Sequence, residues 1–172
     1  MEPTQTPQQN PDPVTQPITD PAAINPASAA GPVAEATTVP APEVAKNDGS
    51  PKRILLVEDD DSLASVYVSR LQAEGFDVRR VSNGEEALAT ALSYKPDLAL
   101  LDVMMPKVSG FDVLDIIRNT PETANLKIIM LTALSQESDL ERAKQLGVDE
   151  YLIKSQVVIA DVVEKIRTHL GN

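Results

Sequence analysis

The stretch Ile54-Leu55-Leu56-Val57-Glu58-Asp59-Asp60-Asp61 decides the fold, because four apolar residues are followed directly by four acids. A short, continuously apolar run is typical of a strand that is buried on both faces of a parallel sheet. Four further strands are predicted along the chain, at residues 76–81, 98–101, 126–131 and 150–153. The four acids therefore mark the carboxyl end of the first of five strands.

The segments that follow the strands carry helical signals. Helices are predicted at residues 62–74, 85–94, 111–119, 137–146 and 159–170. Gly75 is placed to stop the first helix, Asn83-Gly84 turns the chain into the second, and the last has an apolar stripe at helical spacing. This alternation predicts right-handed βαβ units and an α/β fold, a doubly wound parallel five-stranded sheet with helices on both faces.

The composition excludes several classes of protein. The 172 residues include no cysteine, which excludes disulfides, zinc–thiolate clusters, iron–sulfur sites and thiol nucleophiles. The formal net charge of -11 disfavours direct binding to nucleic acid and to anionic membrane surfaces. A bound cation or a basic partner fits this charge better.

Residues 1–51 do not have the composition of a domain. They hold 11 of the 14 prolines, amid Gln, Thr, Asn and Ala, and this spacing prevents a helix or strand from propagating. We predict a disordered, acidic tail here, which acts as a linker or spacer rather than as a specific docking segment. A single domain is predicted at residues 52–172.

No targeting or membrane segment is predicted. Residues 1–10 lack the basic start and the apolar core of a signal peptide, and no apolar run reaches the roughly 18 to 20 residues of a membrane span. Only Gly171 and Asn172 follow the last predicted helix, so no output domain is expected. The expected location is the cytoplasm.

Polar residues end the predicted strands at one rim of the sheet, where open α/β folds place their ligand sites. The acids 58–61 follow the first strand, and Asp102, Thr132 and Lys154 lie at the ends of the third, fourth and fifth. Converging carboxylates imply a bound cation, and oxygen ligands favour a hard ion such as Mg²⁺. An Asp carboxylate beside Mg²⁺ and a lysine suits attack on a phosphoryl group, whose charge Lys154 and the Thr132 hydroxyl would help to offset.

Each of these residues also has a simpler interpretation. The acids 58–61 could be a solvated helix start, where the helix dipole stabilises negative charge. Thr132 could be a helix cap, and Lys154 could be a surface charge. Tyr151 could be an ordinary strand aromatic. The joint spacing favours a site over these separate interpretations. His169 lies in the last turn of the final helix, where partial positive charge suits the helix end, and we assign it no phosphotransfer role.

Four segments, in this order and at these separations, resemble the receiver domain of bacterial two-component response regulators over residues 52–170. The segments are Ile54-Leu55-Leu56-Val57-Glu58-Asp59-Asp60, Leu100-Leu101-Asp102-Val103-Met104-Met105-Pro106 with Gly110 following, Ile129-Met130-Leu131-Thr132-Ala133, and Tyr151-Leu152-Ile153-Lys154. Any one segment is weak evidence, whereas the combination is specific. The resemblance implies a flavodoxin-like receiver fold with strand order 2-1-3-4-5, as in a chemotaxis receiver.

The resemblance also implies roles for individual residues. Asp102 would be the phosphoacceptor and would form the Mg²⁺ site together with Glu58 and Asp59. Asp59 would ligate the ion directly, Glu58 through water, and Met104 through its backbone carbonyl. The other two acids of the run would be left to cap the first helix.

The remaining roles concern the phosphoryl group and the switch. Lys154 would contact the phosphoryl group, Thr132 would shift toward it, and Tyr151, at the position of the family's switch aromatic, would turn inward. The output would be a repacked surface on helix four, strand five and helix five. Ser155 stands where most relatives have proline, and a cis peptide before it would cost about 2.5 to 4 kcal/mol. We therefore expect this loop to be trans or strained.

Two apolar residues predict a long-lived phosphoryl group. Met104 and Leu134 lie two residues beyond Asp102 and Thr132. Relatives that dephosphorylate themselves faster often have polar or acidic residues at these positions. The resemblance therefore implies slow hydrolysis.

The function predicted from these features is that of a single-domain response regulator. It would accept a phosphoryl group from a sensor histidine kinase or a histidine phosphotransfer protein and signal to a downstream protein target, as a terminal effector or a relay intermediate, without nucleic-acid contact or membrane insertion. Self-modification of this kind does not make it a conventional enzyme. One alternative is a receiver-like scaffold that no longer switches and works through its tail. An Asp-nucleophile phosphatase would need a second catalytic acid just after Asp102, where Val103 and Met104 lie.

Overall fold

The computed structural model describes residues 49–171. The predicted tail, residues 1–51, lies outside these residues apart from its last three positions, so its disorder stays a prediction. Among the helices of the described residues, none is long and apolar enough to span a bilayer.

Five strands alternate with five helices in the predicted order. The strands are β1 (Arg53–Val57), β2 (Asp77–Val81), β3 (Leu98–Leu101), β4 (Lys127–Thr132) and β5 (Glu150–Ile153). The helices are α1 (Asp61–Ala73), α2 (Gly84–Tyr94), α3 (Gly110–Asn119), α4 (Glu137–Gln145) and α5 (Ile159–Leu170). Every boundary lies within one residue of its prediction, which confirms the elements derived from apolar runs and turn residues.

The strands form one parallel sheet in the order β2-β1-β3-β4-β5. This is the order implied by the resemblance. Val57 at the end of β1 pairs with Val81 of β2 and with Leu101 of β3. Because these strands end in register, the residues that follow them, Glu58 and Asp102, leave the sheet side by side.

The apolar run of β1 is buried on both faces, as predicted. Leu55 and Val57 pack into a core formed with α2, α3 and α4, whereas Ile54 and Leu56 pack into a second core formed with α1 and α5. Burial of such a side chain stabilises the fold by roughly 1.5–3 kcal/mol. The acids therefore extend from a strand that is fixed by packing on both sides.

A side-chain cap begins the helix that follows these acids. The Asp60 carboxylate accepts a hydrogen bond from the Leu63 N–H at 2.8 Å and is the N-cap of α1. Such a cap stabilises a helix by typically about 1 kcal/mol. Asp61, predicted to share this role, is instead the first residue of the helix and forms an ion pair with Arg80.

Candidate metal centre

Three carboxylates meet at the carboxyl ends of β1 and β3. One oxygen atom from each of Glu58, Asp59 and Asp102 lies within 4.8 Å of the other two. Backbone pairing continues past the strand ends, because the Asp102 N–H donates to the Val57 carbonyl at 3.0 Å and the Glu58 N–H to the Val81 carbonyl at 3.1 Å. Glu58 and Asp102 are buried, with 2% and 5% of their surface exposed, whereas Asp59 is exposed. The sheet thus presents two buried acids and one that faces solvent.

Lys154 lies between the two buried acids. Its Nζ donates to Glu58 Oε2 and to Asp102 Oδ2, each at 2.7 Å. Its backbone N–H donates to the Thr132 carbonyl at 2.8 Å, which holds the start of the loop after β5 against the end of β4. Burial by itself would lower the pKa of Lys154, but the hydrogen bonds to Asp102 and Glu58 outweigh it and raise that pKa. Lys154 is therefore a cation at neutral pH.

The site carries more negative than positive charge. Burial raises the pKa of Glu58; Lys154 opposes this effect, and the charge of Asp102 adds to it. A bound cation would relieve the repulsion between these carboxylates. The donors are carboxylate oxygens, the ligand type that Mg²⁺ prefers, and the exposed Asp59 leaves one side open to a hydrated ion. The residues present therefore fit Mg²⁺.

The four consecutive acids have four different environments. Glu58 binds the buried lysine, Asp60 caps α1, and Asp61 pairs with Arg80 Nη1 at 2.6 Å. Within residues 49–171 the Asp59 carboxylate makes no hydrogen bond or ion pair, which leaves it available to an ion. The contact with Arg80 is absent from the sequence-based predictions, because nothing in the pattern of an edge strand indicates which loop a long side chain reaches.

Asp102 is held at both of its side-chain oxygens. Oδ1 accepts from the Met104 N–H at 3.0 Å, and Oδ2 accepts from Lys154. Gly110 packs against this loop: its N–H donates to the Val103 carbonyl at 3.0 Å, and a Cβ at this position would overlap the Asp102 carbonyl oxygen. The glycine of the sequence motif is thus required for the path of the chain around Asp102. The Met104 side chain is exposed.

Thr132 and Tyr151 both contact the loop after β4. The Thr132 hydroxyl is buried and accepts a hydrogen bond from the Leu134 N–H at 3.2 Å, while the Tyr151 hydroxyl donates to the Leu134 carbonyl at 3.1 Å. One residue thus links the predicted switch pair. His169 contacts Glu150 at 3.0 Å, at the opposite end of β5 from Lys154.

The comparisons with known proteins agree with this geometry. The family model described as the response regulator receiver domain matches residues 54–167. The chain is 32% identical over 122 residues to the polar-differentiation response regulator DivK of Brucella anthropi, a match that covers 71% of this chain and 98% of that protein.

Solved structures of receiver domains are also similar to this chain. A CheY-like response regulator receiver domain protein from Methanospirillum hungatei JF-1 is 30% identical, with a TM-score of 0.66 over 71% of this chain and 95% of that one. The receiver domain of a sensor histidine kinase from Pseudomonas aeruginosa PAO1, which has a magnesium ion coordinated in its active-site cleft, is 29% identical, with a TM-score of 0.65 over 71% of this chain and 99% of that one. Since the family match includes the three acids, the lysine and all five strands from Ile54 onward, the chain belongs to the response regulator receiver domain family.

Proposed function

We propose that this receiver accepts a phosphoryl group on Asp102 in the presence of Mg²⁺, from a histidine of a sensor kinase or of a phosphotransfer protein. The observation that carries the proposal is the environment of this one carboxylate. Asp102 is buried, lies 2.7 Å from a lysine ammonium and has two further acids within 4.8 Å. Phosphoryl transfer needs a positioned nucleophile and neutralised charge. The contacts of Asp102 position the nucleophile, and Lys154 together with Mg²⁺ held by the acids would neutralise the charge.

The transfer forms one bond to phosphorus and breaks another. An Asp102 carboxylate oxygen attacks the phosphorus atom, the bond between phosphorus and the donor imidazole nitrogen breaks, and its electron pair stays with the imidazole. The product is an acyl phosphate on Asp102. When bound, Mg²⁺ would neutralise charge on the phosphoryl oxygens.

The chain's own residues would bind the ion and the phosphoryl group. Glu58 and Asp59 would hold the ion, together with Asp102 and the Met104 carbonyl. Lys154, which already contacts Asp102, would exchange its second acid for a phosphoryl oxygen.

Thr132 and Tyr151 would carry the switch. The Thr132 hydroxyl accepts one hydrogen bond, which leaves its proton available for donation to a phosphoryl oxygen. Movement of Thr132 would draw Leu134 with it, and the Leu134 carbonyl is the group that holds the Tyr151 hydroxyl. The surface of α4, β5 and α5 would then repack and be presented to a downstream protein target.

Phosphorylation of this kind is self-modification, so we do not propose a conventional enzyme. The exposed Met104 and the partly buried Leu134 support a long-lived phosphoryl group, because neither side chain has a polar group that could direct a water molecule at phosphorus. We propose that the protein acts in the cytoplasm, through protein contacts rather than through nucleic acid or a membrane.

The test is incubation of the full chain with Mg²⁺ and acetyl phosphate, followed by intact mass measurement. One added phosphoryl group is expected in the parent chain, and none in Asp102→Asn or in excess chelator. Asp115→Asn, at an exposed position of α3, is the matched control and should be modified like the parent. No modification, together with no binding of Mg²⁺, would overturn the proposal in favour of a scaffold that does not switch.

A further inference from the structure

Arg80 on the edge strand β2 reaches the loop that carries the acids. Its Nε and Nη2 donate to the Glu58 carbonyl at 3.1 and 2.9 Å, and Nη2 also donates to the Asp59 carbonyl at 3.3 Å. Its Nη1 pairs with Asp61 Oδ1 at 2.6 Å. All three nitrogen atoms of one guanidinium group thus contact one short segment, residues 58–61.

The contacts of Arg80 differ in strength. The Asp61 side chain is 88% exposed, and an ion pair in water is weak. The contacts with the Glu58 carbonyl are partly buried and charge-assisted, which makes them stronger and more directional. The planar guanidinium is also rigid, so it fixes the orientation of the peptide groups that it binds.

We propose that Arg80 is a positioning residue for the metal centre. It holds the backbone of Glu58 and Asp59 so that both carboxylates are directed at the ion, and it keeps Asp61 away from the ion. This inference rests on the Mg²⁺ site of the proposed function. It concerns the geometry of the ligands and not the identity of the phosphoacceptor.

The positioning role of Arg80 and its positive charge predict opposite changes in Mg²⁺ affinity when this residue is replaced. As a cation near a cation site, Arg80 repels Mg²⁺, so its charge alone would make binding tighter once it is removed. Loss of positioning would make binding weaker. It would also act unequally on two ions, because Mg²⁺ requires near-ideal octahedral geometry whereas Ca²⁺ accepts a flexible ligand set.

The test uses Arg80→Lys, which keeps the charge and loses the planar fork, and Arg80→Met, which loses both. Amide NMR titrations of the full, ¹⁵N-labelled chain with MgCl₂ and with CaCl₂, at constant ionic strength, give the two dissociation constants. Arg80→Lys is expected to bind Mg²⁺ about tenfold more weakly, the usual lower range for loss of a group that supports metal ligands. Arg80→Met should lose less affinity, because removal of the positive charge offsets part of the loss. In each variant the loss of Ca²⁺ affinity should be smaller than the loss of Mg²⁺ affinity.

Arg79 provides the matched control. It is the preceding residue of β2, is exposed, and lies 4.8 Å from the centroid of the Tyr94 ring. Arg79→Lys and Arg79→Met make the same chemical changes and should leave both dissociation constants unchanged. Thermal unfolding in chelator reports whether each variant is folded, and if Arg80→Met does not fold, Arg80→Lys carries the test.

The outcomes separate this inference from the proposed function. Binding of Mg²⁺ by both Arg80 variants as tightly as by the parent, or more tightly, would overturn the positioning role. Equal losses for Mg²⁺ and Ca²⁺ would overturn it as well. If the parent does not bind Mg²⁺, or if Asp59→Asn binds it equally well, the metal centre itself is wrong.

Discussion

Two ionic clusters lie at opposite ends of the sheet. At the carboxyl ends of the strands, Lys154 serves two buried acids, Glu58 and Asp102; we call these three residues the rim cluster. At the amino ends of β4 and β5, Asp149 is bound by Arg118 at 2.8 Å and by Lys127 at 3.0 Å; we call these three the base cluster. One cluster has more acids than cations, and the other has more cations than acids.

The pKa values follow this difference. Burial by itself raises the pKa of Asp149, but the N–H of Ile128 and the charge of Lys127 outweigh it and lower that pKa. Burial also raises the pKa of Glu58, and there the opposing effect of Lys154 is too small to reverse it. The base cluster therefore stabilises the fold, whereas the rim cluster keeps negative charge uncompensated for a cation.

Removal of Arg118 should produce the largest loss of stability. Arg118 also donates to three backbone carbonyls, those of Ala124, Leu126 and Gly147. Arg118→Ala leaves these acceptors and Asp149 without the guanidinium, so we expect the free energy of unfolding to fall by about 3 to 4 kcal/mol. Urea unfolding measures this loss, and the affinity for Mg²⁺ should not change.

Arg142→Ala is the control for this prediction. Arg142 is 56% exposed, lies 3.8 Å from Asp112 and stacks over the Phe111 ring. Its replacement should cost at most about 1 kcal/mol. If the two variants lose equal stability, the base cluster does not have the structural role assigned to it.

The sequence predicted the elements and the members of the site, because both depend on patterns along the chain. Apolar runs predict the strands, and parallel strands bring their carboxyl ends together, so the sequence alone predicts that Glu58, Asp102 and Lys154 lie at one rim. The strand order came from the family resemblance. The contacts of Arg80 and Arg118 are not predicted, because both side chains bind backbone carbonyls, which every residue has and which no sequence pattern distinguishes.

Gly110→Ala should affect both the fold and the rim cluster. A Cβ at this position would overlap the Asp102 carbonyl oxygen, so the loop after β3 must move. We expect the free energy of unfolding to fall by about 1–3 kcal/mol, the usual cost of overpacking. Weaker Mg²⁺ binding should accompany this loss, because the displaced loop carries the Asp102 carboxylate.

Gly171→Ala separates these two effects. Gly171 has φ +71°, and among residues 49–171, its chain neighbours aside, no atom lies within 4 Å of the place that a Cβ would take. Alanine there therefore brings backbone strain but no overlap with these residues. It should lower stability without any change in the affinity for Mg²⁺. Unchanged Mg²⁺ affinity in Gly110→Ala would show that this glycine does not constrain the site.

Mg²⁺ should stabilise the fold only through the candidate metal centre, which consists of Asp59 and the two acids of the rim cluster. At a free concentration of ten times the dissociation constant, binding adds about 1.4 kcal/mol to the free energy of unfolding. Asp59→Asn should abolish this gain, because it removes the acid that is open to the ion. Asp149→Asn should keep the full gain although it starts from a less stable protein. Urea unfolding with Mg²⁺ and with chelator measures both, and loss of the gain in Asp149→Asn would contradict the separation of the two clusters.

The smallest effect is the pH dependence of stability in chelator, and its sign should differ between the clusters. The pKa of Asp149 lies below its ordinary 3.8, so its contribution is present above that pH and is lost as the pH falls through the folded-state pKa. The pKa of Glu58 lies above its ordinary 4.5, so the folded state binds the proton more tightly and stability declines as the pH rises through that pKa. With rising pH, Asp149→Asn should therefore fall further below the parent chain in stability, whereas Glu58→Gln should gain on it. Urea unfolding at a series of pH values measures the difference in stability between each variant and the parent chain. If the two differences change with pH in the same direction, the two clusters do not differ in their balance of acids and cations as described.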